Sequence, residues 1–454
     1  MSGIDTSGAA PAAPGLLSGA YRTVWRWHFY AGLLVLPVLM LMALTGGLYL
    51  FKSEIDDAVY RGMAQVTPAA SPASPDQWRA AAEQAAGGTA SSILMPARPD
   101  RAVRFGVTLE DGTKRTVFVD PADARVTGVT PFGGVMETVK HLHSLVLIGT
   151  WANVIVEIVA GWTIILVATG IFLWWPRGRA VGVVKVSSAE MGRRPFWRDL
   201  HALTGLYAGA VILFLAVTGM PWSVVWGDRV GDWVKASGLG RPPAPAAASP
   251  WAHAEHAADA PSGVGWTMEG MVMPSDPVAP ARLSTVFATA EAQGLARPYQ
   301  VSIPADPTLA FTVSRQVTQV EDTRALYIDG ATGAVRADIG YGQFGPGAKA
   351  IEWGIATHQG TQYGFINRYL MLGGCIGIWL LGISAVVMWW KRRPKGRLAA
   401  PVAPPGPRAK AAVLAIVLPL AILYPLTGLS LIVAVLFDRA VALLSRREPE
   451  GQMS

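Results

Sequence analysis

The sequence predicts a mainly α-helical integral membrane protein built from two parallel repeats, each with an α+β lobe outside the membrane, followed by a fifth span. Three observations carry this. The chain of 454 residues is 51% hydrophobic and only 15% charged, richer in apolar and poorer in charged residues than soluble domains are. Five apolar runs, 29–51, 146–175, 202–226, 367–390 and 411–437, reach the roughly 20 residues that an ~30 Å hydrocarbon core requires. Spans one and three, and likewise two and four, align with each other without a gap.

In chain order, residues 1–20 form a Gly/Ala/Pro-rich tail. The first span, 21–51, is too long for a cleaved signal peptide and lacks its small-residue exit, so it reads as an uncleaved anchor. A lobe follows over 52–140, a second span over 141–176, a basic loop over 177–198 and a third span over 199–226. The second lobe covers 227–357, the fourth span 358–390, a basic Pro-rich linker 391–410, the fifth span 411–437 and a C-terminal tail 438–454. The loop carries Arg177, Arg179, Lys185, Arg193, Arg194 and Arg198 against Glu190 alone, and the linker has seven basic residues and no acid. The positive-inside rule makes both cytoplasmic, which puts the N-terminus inside and both lobes outside. The net charge of +7 is therefore a topology signal and not a nucleic-acid footprint. The tail, expected outside, holds Arg439, Arg446 and Arg447, which conflicts with that side.

Each lobe has an Ala-rich helical stretch, 76–86 and 281–293. It is followed by a strand, a turn opening at an Asp (Asp120, Asp329) and a second short strand, in "RTVFVDPADARVTG" and "RALYIDGATGAVRA".

The repeat singles out four histidines. From His28 and from His201, a Gly follows at four residues (Gly32, Gly205) and Thr-Gly at seventeen and eighteen (Thr45-Gly46, Thr218-Gly219). From His143 and from His358, a Gly follows at six residues (Gly149, Gly364), then a Trp pair (Trp174-Trp175, Trp389-Trp390) and a basic turn. His141 aligns with Ala356 and has no partner. Alone, His28 reads as an interfacial ring beside Trp25 and Trp27. Four repeat-related histidines instead offer one pair of imidazoles near each membrane face, the donor set of bis-histidine haem b ligation. At ~100° per residue, Gly32 lies ~40° from His28 and Gly46 almost above it ~27 Å further along, with Gly205 and Gly219 placed likewise around His201. Such a stripe suits a flat macrocycle, and it also suits helix packing through small residues. The 31 residues from His143 to Trp174 would make ~46 Å of continuous helix. Either the outer site sits at or above the interface, or the helix breaks near Gly149. The single Cys375 excludes an intramolecular disulfide, an all-Cys iron–sulfur cluster and c-type haem attachment.

The His-x-x-x-Gly openings with Thr-Gly exits, "LHSLVLIG" and "THQGTQYG", "LWWPR" and "MWWKRR", and the lobes around "FVDP" and "YIDG" resemble the PepSY-associated transmembrane family, which includes iron-regulated inner-membrane proteins and ferric-siderophore reductases. The resemblance runs to about residue 393. It implies a protein of the bacterial inner membrane with two haem b groups, lobes like PepSY modules in the periplasm, and electron transfer from the cytoplasmic side to a periplasmic ferric siderophore. The family's ligand histidines fall on His28, His143, His201 and His358; topology pairs His28 with His201 and His143 with His358. His141 is a further candidate at the outer site or substrate. No Gly-rich dinucleotide fingerprint between a strand and a helix is present, so quinol or a separate cytoplasmic reductase is the expected donor.

Other readings stay open. "WAHAEHAADAPSGVGWTMEGMVMP" carries His253, His256, Met268, Met271 and Met273, ligands that suit copper, in a composition that also suits a metal-free loop. The lobes could instead bind or regulate a periplasmic partner without redox activity. A permease would need carboxylates in the spans, and Glu157 is the one there, aligned with Leu372 in the other half.

Overall fold

The computed structural model describes residues 16–176, 184–186, 190–240, 281–306, 309–393 and 418–444. Four of its helices are long and apolar enough to cross a membrane: Tyr21–Tyr49, Thr150–Trp174, Arg194–Trp222 and Gly364–Arg392. The chain divides into two compact units, one of residues 1–43, 154–217 and 374–454, the other of 44–153 and 218–373.

Helix α1 is Leu16–Tyr49, followed by the short α2 (Lys52–Val59) and α3 (Arg61–Ala64), then α4 (Pro75–Ala86). Strands β1 (Gly88–Met95), β2 (Val103–Leu109), β3 (Lys114–Val119) and β4 (Val126–Pro131) come next, and then α5 (Gly134–His143) and α6 (Asn153–Trp174). The second half gives α7 (Arg194–Gly219), α8 (Trp226–Ala236), α9 (Leu283–Ala292), β5 (Tyr299–Ser302), β6 (Phe311–Arg315), β7 (Arg324–Ile328), β8 (Val335–Gly340), α10 (Pro346–His358) and α11 (Gly364–Arg392).

In the first unit, α11 packs closely through its own glycines. A Cβ on Gly377 would come within 2.7 Å of Ala208 on α7, one on Gly374 within 2.8 Å of Val211, and one on Gly382 within 2.7 Å of Leu36 on α1. Missing side chains bring backbones together where no hydrophobic effect drives helices to associate. The region of the expected fifth span is not one continuous helix. Residues 411–417 lie outside the described residues, 418–423 are helical, the helix breaks at Tyr424, and α12 runs Pro425–Leu444. The Ala421 carbonyl oxygen lies 2.5 Å from where a Cβ on Gly428 would sit, whereas seven residues of straight helix span ~10 Å. The chain therefore bends sharply there. Pro425 is the cause: it has no N–H for the Ala421 carbonyl four residues back, and its ring collides with that carbonyl. Residues Pro425–Ala434 of α12 form a short apolar stretch. It packs on α6, with Trp162 Nε1 donating to Ser430 Oγ at 2.9 Å.

In the second unit, the strands expected in two lobes form one eight-stranded antiparallel sheet, ordered β4-β3-β2-β1-β5-β6-β7-β8. The halves meet at β1 and β5, with Ile93 opposite Val301 and Met95 opposite Tyr299. Pairing them removes two edges that would otherwise be open to other chains. Trp78 and Ala82 of α4 and Val286, Phe287 and Ala290 of α9 share one core with Ile93, Phe105, Val301 and Val313. Both Ala-rich helices thus appear within two residues of expectation. A capping box closes the start of α4, with Ser74 N donating to Gln77 Oε1 at 2.8 Å. The start of α9 has no cap of its own, and Asp76 of α4 supplies one: Leu283 N donates to its Oδ1 at 2.8 Å and Ser284 N to its Oδ2 at 3.3 Å. Asp76→Ala is expected to cost about 1 kcal/mol, as loss of an N-cap does, read as a lower melting temperature of the full chain in detergent, while Asp76→Asn keeps most of it.

The two Asp turns are built alike. Asp120 accepts from Ala122 N at 3.0 Å and pairs with Arg125, and Asp329 accepts from Ala331 N and Thr332 N at 2.9 Å and pairs with Arg336. These carboxylates are spent on turn geometry.

The helices that carry the remaining histidines are shorter than the expected spans 141–176 and 358–390. His143 ends α5, two 3-10 turns follow, and Leu145 and Gly149 take positive φ of 58° and 143° before α6 begins. His358 ends α10, and Gly360 and Gly364 take φ of 74° and 62° before α11. The break expected near Gly149 is present, and the second half breaks at the corresponding place.

Candidate functional site: four hydroxyl-anchored histidines

The first unit brings His28 of α1 and His201 of α7 together, with ring centres 6.4 Å apart and ring planes at 86°. Two imidazoles on one ion each sit ~2 Å from it through nitrogen, and a nitrogen lies ~1 Å from its ring centre, so rings sharing an ion stand ~6 Å apart. An edge-to-face aromatic pair covers the same separation. What distinguishes the two is where the ring protons are.

His28 Nδ1 lies 2.9 Å from Thr169 Oγ1 on α6. The Thr169 hydroxyl has one proton, and it is directed at the Ile165 carbonyl at 2.7 Å. Thr169 therefore accepts from His28 Nδ1–H, and the lone pair of the ring is left on Nε2. His201 Nδ1 lies 3.2 Å from the Leu381 carbonyl and 3.0 Å from Ser384 Oγ, whose own proton goes to that carbonyl at 3.0 Å. A carbonyl only accepts, so His201 also carries its proton on Nδ1. Gly170, next to Thr169, lies against the His28 ring: a Cβ there would be 3.5 Å from His28 Cε1.

The second unit holds His143 and His358, each with its Nδ1 against a threonine hydroxyl. Thr45 Oγ1 is 3.0 Å from His143 Nδ1, and Thr218 Oγ1 is 3.0 Å from His358 Nδ1. A Cβ on Gly219 would lie 3.5 Å from His358 Cε1, and Trp222 meets the His358 ring edge-on at 5.9 Å. The structure thus puts both residues of the Thr-Gly exit of α7 beside the imidazole, Thr218 at its Nδ1 and Gly219 at its Cε1. The carbonyl of Gly46, the equivalent glycine in α1, accepts from Leu50 N at 3.1 Å. At Gly32 a Cβ would meet Leu166 Cδ2 at 4.0 Å and at Gly205 Leu381 Cδ2 at 3.8 Å. Close helix packing does not require either glycine, unlike Gly374 and Gly377, and both leave room beside the histidine helices.

His141 takes no part in these pairs. Its Nε2 lies 3.2 Å from Glu137 Oε1, which Lys140 also meets at 2.5 Å, and two residues on a helix turn it ~200° away from His143. His253, His256, Met268, Met271 and Met273 lie outside the described residues.

A bare zinc or copper ion takes three or four protein ligands. Among the described residues there is no group of three or more His, Cys, Asp or Glu placed to hold an ion. Two imidazoles alone, with both lone pairs on Nε2, fit a metal whose other ligands arrive with it, as in haem.

A family model described as the PepSY-associated TM region matches residues 25–392. The chain belongs to the PepSY-associated TM family. The match begins just before His28 and ends after the second Trp pair, so it takes in all four histidines, their four hydroxyl partners and the whole sheet. In this PepSY-associated TM protein, α12 lies beyond the matched residues. Comparison with curated proteins finds none that matches the chain.

Sequence reasoning finds the four histidines of this PepSY-associated TM protein and misses two of their partners, Thr169 and Ser384. A signal for them exists. The gapless offset that lays His143 on His358 also lays Thr169 on Ser384, placing two hydroxyls at one level of otherwise apolar spans.

Proposed function

We propose that this membrane protein is a di-haem b electron-transfer protein of the bacterial inner membrane that reduces periplasmic ferric siderophore and releases Fe(II). The observation that carries the reading is the His28–His201 pair: two imidazoles with ring centres 6.4 Å apart, each with its Nδ1 held by a partner on a neighbouring helix. Bound haem supplies a reversible one-electron iron couple. His28 and His201 hold and orient one group; His143 and His358, matched by the repeat and anchored by Thr45 and Thr218, hold the other. The charge pattern of the loops supports a first pair toward the cytoplasm, where quinol or a separate reductase would deliver electrons, and a second toward the periplasm. One electron passed to a bound Fe(III) chelate weakens its hold by hard oxygen donors and frees Fe(II).

Mixing the anaerobically reduced, purified protein with a ferric trihydroxamate tests this. The reading predicts haem reoxidation with one Fe(II) trapped per electron; haem that stays reduced, with no Fe(II) formed, contradicts it.

A further inference from the structure

We infer that Thr169 and Ser384, and by the repeat Thr45 and Thr218, are positioning residues that fix the histidines in the Nδ1–H tautomer, so that Nε2 of each ring is the nitrogen offered to iron. The inference rests on the di-haem reading and adds to it the four residues that make the sites ready for the group.

The four contacts form a reciprocal pattern inside each repeat. In the first half, α1 presents His28 to Thr169 of α6 and Thr45 to His143 at the end of α5. In the second half, α7 presents His201 to Ser384 of α11 and Thr218 to His358 at the end of α10. Each half therefore anchors its own two imidazoles, while His28 and His201, one from each half, stand with ring centres 6.4 Å apart. Thr45, Thr169 and Ser384 are at most 3% exposed, so water does not compete for the ring proton. The hydroxyls of Thr169 and Ser384 send their own proton to a carbonyl, so each is an acceptor toward its histidine, and hydrogen bonds in such chains polarise one another. Donation from Nδ1–H makes the ring a stronger ligand at Nε2, and removal of such a partner typically lowers metal affinity 10–100-fold.

The test uses purified haem-loaded protein and the variants Thr169→Val, Thr169→Ser, Ser384→Ala, Thr45→Val and Thr218→Val. Thr169→Val and Ser384→Ala are expected to speed loss of one haem to apomyoglobin by about 10–100-fold, and to raise the midpoint potential of that haem alone. Thr45→Val and Thr218→Val act on the other haem, and Thr169→Ser behaves as wild type because it restores the acceptor. The inference fails if the valine variants keep wild-type potentials and haem retention, or if Thr169→Ser is as damaging as Thr169→Val, which would make side-chain volume the cause. Should wild-type protein carry no haem, the di-haem reading falls by itself, and the tautomer is still read from ¹⁵N shifts of labelled histidine rings. His28, assigned by loss of its signals in His28→Ala, is expected to show a protonated Nδ1 that becomes a tautomer mixture in Thr169→Val; unchanged shifts overturn the inference.

Discussion

His28→Ala is expected to remove one of two haems, and His201→Ala to remove the same one. The two rings stand 6.4 Å apart in one unit, and in the proposed site each would contribute a single nitrogen, so either substitution would remove half of the protein ligands of one haem. Pyridine haemochrome should fall by about half in each variant. The double variant His28→Ala/His201→Ala should be no worse than either single one, because residues that act as one unit are strongly non-additive. The combination His28→Ala/His143→Ala should instead lose both groups. The substitution removes only one neutral hydrogen bond, that to Thr169, which is worth about 1 kcal/mol, so the fold should persist and the loss be specific. If His28→Ala and His143→Ala removed the same haem, the pairing across halves would be wrong.

His143→Ala and His358→Ala are expected to abolish reduction of the ferric chelate while leaving the first haem in place and reducible. These two histidines end α5 and α10 at corresponding breaks in the two halves, and Thr45 and Thr218 anchor them at the same 3.0 Å. The spectral consequence separates this pair from the first: a donor added on the basic-loop side should still reduce about half the wild-type haem, and that haem should stay reduced when chelate is added. Chelate reduction at the wild-type rate in either variant would place the outgoing electron elsewhere.

The residues show why part of this was legible in the sequence and part was not. Spans and lobe strands follow from local pattern: apolar length for α1, α6, α7 and α11, and alternation around Asp120 and Asp329 for β3–β4 and β7–β8. The four histidines follow from the repeat. The single sheet does not, because the pairing of Ile93 with Val301 joins residues some two hundred positions apart, and nothing local in either strand specifies its partner. The bend at Tyr424–Pro425 had a local sign, the proline itself, which was outweighed by an uninterrupted apolar run. The hydroxyl partners fell between the two cases. Thr45 and Thr218 stood out as part of a motif whose glycines drew the attention, while Thr169 and Ser384 look like ordinary small polar residues of a span until the histidine facing each is known. His141, adjacent in sequence to a ligand candidate, is turned away by helix geometry toward Glu137.

The most direct measurement is the haem content and reduced optical spectrum of the protein purified in mild detergent from haem-replete cells. The account predicts about two haems per chain, both low-spin, with sharp α-bands of b type on reduction. A well-folded, colourless preparation would contradict it.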